Sequence, residues 1–103
     1  MGTLHYGANA ATLRLHDHAL AHVQAAVTHK LGLGERFLLS WVNPAERSSG
    51  RNTIWLEPSV ALLFRYDSRT PPVIDAELVD LLVAAANTAG GLILPDSTED
   101  GAD

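Results

Sequence analysis

The residue order predicts an α+β fold: an antiparallel sheet with two helices packed on it, in the order β-β-α-β-β-β-α-β. Three observations point there. Short runs alternate their side chains with the two-residue period of a strand. Two longer stretches repeat apolar residues at helical spacing. The strands come in groups instead of alternating strictly with helices, which favours helices segregated onto one sheet.

Each element has its own signal. Leu4 and Tyr6 alternate with Thr3 and His5, and Leu13 and Leu15 alternate with Thr12 and Arg14. The chain between them can reverse at Gly7 or Asn9, so the pair reads as a β-hairpin. Asp17 offers a carboxylate to the free N–H groups of a helix start. From Asp17 to Leu31, the residues Leu20, Val23, Val27 and Leu31 fall within one sector of about 80°. Gly32 and Gly34 suit the end of that helix.

Phe37, Leu39 and Trp41 alternate with Leu38, Ser40 and Val42, a strand expected to be covered on much of both faces. Residues 43–50 are polar and rich in turn formers, hence a surface loop. Asn52 to Leu56 is rich in β-branched and aromatic residues. Pro58-Ser59 supplies a tight turn. Val60, Leu62, Phe64 and Tyr66 then share one face of a strand. Three strands joined by short links suggest an antiparallel meander.

Pro71-Pro72 enforces an extended entry to the second helix. Asp75 is its expected N-cap, with Ile74 placed to pack on Val79 as a staple. Ile74, Leu78, Leu81, Leu82 and Ala85 form an apolar stripe that Val79, Val83 and Ala86 widen. Gly90-Gly91 closes the helix, and Leu92 to Leu94 reads as a last strand. Residues 1–95 are expected to form one domain, and 96–103 a disordered acidic tail.

Composition narrows the function classes. The chain has 103 residues, of which 47% are hydrophobic. A chain of that size buries roughly two-thirds of its unfolded surface, enough for one core. It has no cysteine, which removes disulfides, thiolate metal sites and thiol catalysis. No basic stretch followed by an apolar one opens the chain, and no apolar run approaches the ~20 residues that span a bilayer. A cytoplasmic location and no membrane partner are expected. Asp96, Glu99, Asp100 and Asp103 carry most of the net charge of −5. Six arginines and one lysine are scattered without a visible basic cluster, so nucleic acid is not the favoured partner.

Motifs that carry chemistry are few. His18, His22 and His29 lie within about 40° of one another around the first helix. His18 and His22, four apart, are spaced to chelate a transition metal. His29 sits about 10 Å or more further along the axis and cannot join them. No carboxylate on that face completes a site, so the stripe reads first as a solvated helix surface. No serine stands in a Gly-x-Ser-x-Gly elbow. Gly32-Leu33-Gly34 and Gly90-Gly91 follow helices instead of strands, and there is no Gly-Lys-Ser/Thr. No cofactor is expected.

The most concentrated polar and aromatic region is Arg51 to Tyr66. Arg51, Trp55, Arg65 and Tyr66 are the candidate interaction surface, suited to stacking and phosphate contacts. The competing expectation buries Trp55 under a helix, with the arginines lying over apolar surface. The second helix is apolar around more than half its girth. It is therefore either sandwiched or part of an oligomer surface.

Several stretches carry a family resemblance. They are Met1-Gly2-Thr3-Leu4-x-Tyr6, Leu20-Ala21-His22-Val23-Gln24, Phe37-x-x-Ser40-Trp41, Gly50 through Pro58, and Ala85 through Leu92. Over nearly its whole length the chain resembles short actinobacterial proteins of unknown function that often bear the label "ATP-dependent DNA ligase". The resemblance implies no active site. Such ligases share a Lys-x-Asp-Gly motif whose lysine takes the adenylate. Here the only lysine stands in Lys30-Leu31-Gly32-Leu33. Ligase activity is therefore rejected, and the chain is also too short for that catalytic core.

Three functions follow. The first is a non-enzymatic binding or adaptor module, a homo-oligomer with an unidentified protein partner, using Arg51, Trp55, Arg65 and Tyr66 or the spare face of the second helix. The second is a nucleic-acid accessory protein using the same arginines, marked by strong salt dependence. The third is a metalloprotein using His18 and His22, removed if zinc or nickel does not bind or binds without regard to His22.

Overall fold

The computed structural model describes residues 1–8, 11–42 and 50–94. The 96–103 tail and nearly all of the 43–50 loop lie outside these residues. The elements are β1 (Gly2–Tyr6), β2 (Ala11–Leu15), α1 (Asp17–Gly32), β3 (Phe37–Val42), β4 (Arg51–Leu56), β5 (Leu62–Arg65), α2 (Ala76–Ala86) and β6 (Leu92–Ile93). The α+β class and element order are those the sequence predicts.

The expected single sheet is instead two three-stranded sheets, ordered β2-β1-β5 and β4-β3-β6. β1 and β2 form the predicted hairpin, with Leu4 opposite Leu13, and the chain leaves β1 through Gly7 at φ 66°. The expected meander ends at β4. β4 pairs with β3, but β5 crosses to the free edge of β1 and sets Phe64 opposite Leu4. Side-chain parity permits this pairing. Pairing with β1 aligns the partly buried Leu62 and Phe64 with the inward face that Leu4 and Leu13 define. β6 pairs parallel to β3, placing Leu92 beside Leu39.

One buried cluster joins these parts. It contains Leu4, Leu13 and Leu15 of the first sheet and Leu20, Val23 and Val27 of α1. It also takes in Phe37, Leu39, Trp41 and Leu56 of the second sheet, with Ala86, Leu92 and Leu94. The Tyr6 hydroxyl links the sheets by donating to the Trp55 carbonyl of β4. Two glycines are required by close approaches. A Cβ on Gly2 would lie 2.6 Å from both the Arg65 carbonyl oxygen and Leu20 Cδ2. At Gly91, φ is +76° and a Cβ would lie 2.4 Å from the Leu38 carbonyl oxygen.

α1 buries more than the predicted stripe. Besides Leu20, Val23 and Val27, a second row of His22, Ala26 and Lys30 is buried. This row, four residues apart, faces α2 at both its ends. His22 meets Asp75 before α2 begins, and Lys30 Nζ donates to Asn87 Oδ1 just past its end. The cap of α1 also differs from expectation. His16 occupies the N-cap, and Asp17 is the first helical residue. Asp75 caps α2 as predicted, accepting from the Glu77 N–H at 3.0 Å.

Candidate functional site

The four residues of the predicted interaction surface do not converge. Arg51 and Trp55 share the open face of the second sheet. There Trp55 is 49% exposed instead of packed beneath a helix. Thr53 lies between them, its hydroxyl 2.9 Å from that of Ser40 on β3. Ile93 and Val42, 67% and 40% exposed, extend this face across all three strands. A shallow depression of about 440 Å³ is bounded there by Arg51, Thr53, Val42 and Ile93 among others.

Arg65 lies on the outward face of the first sheet. Thr3 is in register with Arg14 on one side and Arg65 on the other. His5, next on that face, has Thr3 and Thr12 hydroxyls at 3.1 and 3.3 Å from its ring nitrogens. No carboxylate occupies that face among the described residues. Tyr66 points the other way, and its hydroxyl donates to Gln24 Oε1 on α1. Burial, and then the Asp17 carboxylate, push the Tyr66 hydroxyl above its ordinary pKa of 10.0.

The histidine pair has a different occupation from the predicted one. His18 is exposed, but His22 is 1% exposed and is not part of a solvated stripe. Their ring centroids are 4.4 Å apart. His22 Nδ1 lies 2.7 Å from the His18 carbonyl oxygen, and its Nε2 lies 2.9 Å from the Asp75 backbone nitrogen. The Asp75 N–H must donate to Nε2, so the proton sits on Nδ1 and donates to His18. Both ring nitrogens are thus committed to the fold. A metal on this pair would have to displace one of these bonds. Among the described residues, no group of three or more His, Asp or Glu side chains is placed to hold a metal.

Lys30 is 5% exposed. Its Nζ donates to Glu35 Oε1 at 2.7 Å and to Asn87, and lies 5.9 Å from the centre of the Phe37 ring. A buried ammonium tied down in this way has no open approach for a reacting group.

A further concavity takes in one of the predicted site residues, Tyr66. A strap, residues 67–75, leaves β5 and crosses the outward face of α1 to reach α2. Asp17 pins its start by accepting from the Asp67 and Ser68 N–H groups at 3.3 and 2.9 Å. His22 pins its end through Asp75. Between the pins, Ser68 Oγ accepts from the Thr70 N–H at 3.1 Å, and Pro71-Pro72 need no partner because they have no N–H. A groove of about 470 Å³ runs between the strap and Ala21, Gln24, Ala25 and Thr28 of α1.

Residues 1–97 match the family described as "Domain of unknown function (DUF7882)". The chain belongs to that family. No curated protein and no solved structure matches it. Among the described residues of this DUF7882 domain, no helix is long and apolar enough to cross a membrane.

The signals for the DUF7882 strap were present but divided between distant segments. Small residues at 21 and 25 give α1 a second, shallow face that another segment can approach. Pro71-Pro72 mark a run that cannot use a backbone ladder. Neither fact says that the two meet, because Asp17 and His22 each had a sufficient local reading.

Proposed function

We propose that this domain is a non-enzymatic binding module that associates with a second copy of itself through the open face of the second sheet. The observation that carries this reading is the exposure of Trp55, Ile93 and Val42 together on one three-stranded face. Large apolar side chains grouped in this way mark contact surfaces, and Trp and Arg are prominent among residues that dominate binding energy. The charges favour a second copy as the partner. Along β4 the outward residues are Arg51, Thr53 and Trp55, and strand parity in the sequence groups Glu57 with them. A two-fold axis lying between stacked sheets, above the middle of β4, sets Arg51 of one copy opposite Glu57 of the other and each Trp55 opposite a Thr53. The Tyr6 hydroxyl already occupies the Trp55 carbonyl on the edge of β4, which favours packing by the face over pairing by the edge.

Light scattering coupled to size exclusion tests the reading. The mass should rise with concentration from 11.0 kDa towards that of a dimer, and Trp55→Arg should hold it at the monomer. A monomer at every concentration rejects self-association by this face.

A second reading rests on the first sheet. Its outward face carries Arg14, Arg65 and His5, with no acid among the described residues, an arrangement suited to phosphate contacts. With two arginines the salt slope is shallow, about −2 for a duplex. Retardation of DNA or RNA at low salt that is lost in Arg14→Gln/Arg65→Gln supports it, and no retardation rejects it. Metal binding at His18 and His22 is the weakest of the three functions, because both His22 nitrogens are engaged.

A further inference from the structure

We infer that the groove between α1 and the strap binds a small amphipathic monoanion, an apolar body bearing a single carboxylate or sulfonate. Its volume of about 470 Å³ falls within the ~300–1,000 Å³ range of small-molecule sites. Ala21, Ala25, Pro72 and Ile74 give it apolar walls, and Gln24 and Thr28 add convergent polar groups on one helix face.

The charge follows from what is already paired. Arg69 is the one charged side chain in the lining and has no carboxylate partner among the described residues. The acids that flank the strap are engaged elsewhere, Asp75 with the Glu77 N–H. Asp17 accepts from two backbone N–H groups, and Asp67 is paired with the Met1 amino group. An anionic group on a ligand would therefore meet an available guanidinium, which offers paired donors to a planar or tetrahedral oxyanion. The Tyr66 hydroxyl, held by its bond to Gln24, forms part of the groove wall. The strap is held at both ends by Asp17 and His22, so the groove exists before a ligand arrives and little ordering cost opposes binding.

This inference is independent of the proposed sheet-face contact. The test is titration of the isotope-labelled chain with 8-anilinonaphthalene-1-sulfonate, followed by amide chemical shifts. N-phenyl-1-naphthylamine serves as the uncharged counterpart. One saturable site is expected, with shifts confined to residues 21–28 and 66–75. Because Arg69 is exposed, Arg69→Gln should weaken the sulfonate probe by only about five-fold and leave the neutral probe unchanged. Ala25→Leu, which fills the groove, should weaken both probes, and Trp55→Arg should affect neither. Shifts on the open sheet face instead of the groove overturn the proposal. So does an absence of saturation, or an equal effect of Arg69→Gln on both probes.

Discussion

Truncating His22 to alanine removes two hydrogen bonds at once and unties two elements. The ring is 1% exposed and joins the His18 carbonyl to the Asp75 N–H at 2.7 and 2.9 Å. Each such bond contributes about 0.5–1.5 kcal/mol net. Asp75 itself is exposed, so water can reach its N–H in the variant and the cost of orphaning it stays at the lower end. Emptying a buried site adds about 1–2 kcal/mol for the lost contacts. The sum is about 3 kcal/mol, a sizeable share of the ~5–15 kcal/mol typical of a domain. Urea unfolding followed by far-UV circular dichroism reads it directly. With a slope of about 1–1.5 kcal/mol per molar, the midpoint should fall by about 2–3 M at unchanged slope. His18→Ala, at an exposed position, should stay within about 0.5 kcal/mol of wild type. A His22→Ala loss below about 0.5 kcal/mol, or an equal loss for His18→Ala, would refute the assignment of His22 as the clamp between α1 and α2. Nickel titrated into wild type and His22→Ala should give the same heats, because the pair offers no second free nitrogen.

Other perturbations follow from single contacts. Gly91→Ala places a Cβ 2.4 Å from the Leu38 carbonyl oxygen at a φ of +76°, so a loss of about 2 kcal/mol or more is expected in the same urea assay. Wild-type stability from Gly91→Ala would contradict the β6 placement. Tyr66 has a raised pKa, so above pH 10 the unfolded chain releases a proton that the native chain keeps. Its stabilising contribution is complete below the unfolded pKa and is lost as pH rises from there through the folded pKa. Tyr66→Phe should therefore flatten the alkaline fall in stability, as denaturation midpoints at pH 9 to 11 would show. Lys30→Met should be milder than Lys30→Ala, with a difference of about 1 kcal/mol by urea unfolding, because methionine keeps the buried stem and leaves the half-exposed Glu35 to water.

What was legible in the sequence was whatever a local pattern decides. Leu20, Val23 and Val27 announce α1, and Asp75 announces the start of α2, because spacing and capping act within a few residues. The exposure of Trp55 was half legible, since strand parity groups it with Thr53 and Glu57 but cannot say whether a helix covers that face. The partner of β5 was hidden, because Leu62 and Phe64 suit the edge of β1 as well as a meander. His22 and Asp17 were misplaced for one shared reason. Each had a sufficient local explanation, solvated stripe and helix cap, while its actual partners lie about fifty residues away on the strap. The groove was illegible for the same cause: its two walls, Ala21 to Thr28 and Ser68 to Ile74, meet only after β5 crosses between the sheets.

Self-association through the open sheet face makes its sharpest statement about Trp55. The two tryptophans supply an internal comparison, since Trp41 is 3% exposed and Trp55 is 49% exposed. Relaxation of their indole N–H signals by a soluble paramagnetic agent should be measured across a concentration series. Trp55 should be strongly relaxed in dilute protein and become shielded as concentration rises, while Trp41 stays shielded throughout. Trp55 equally relaxed at every concentration would contradict self-association through this face.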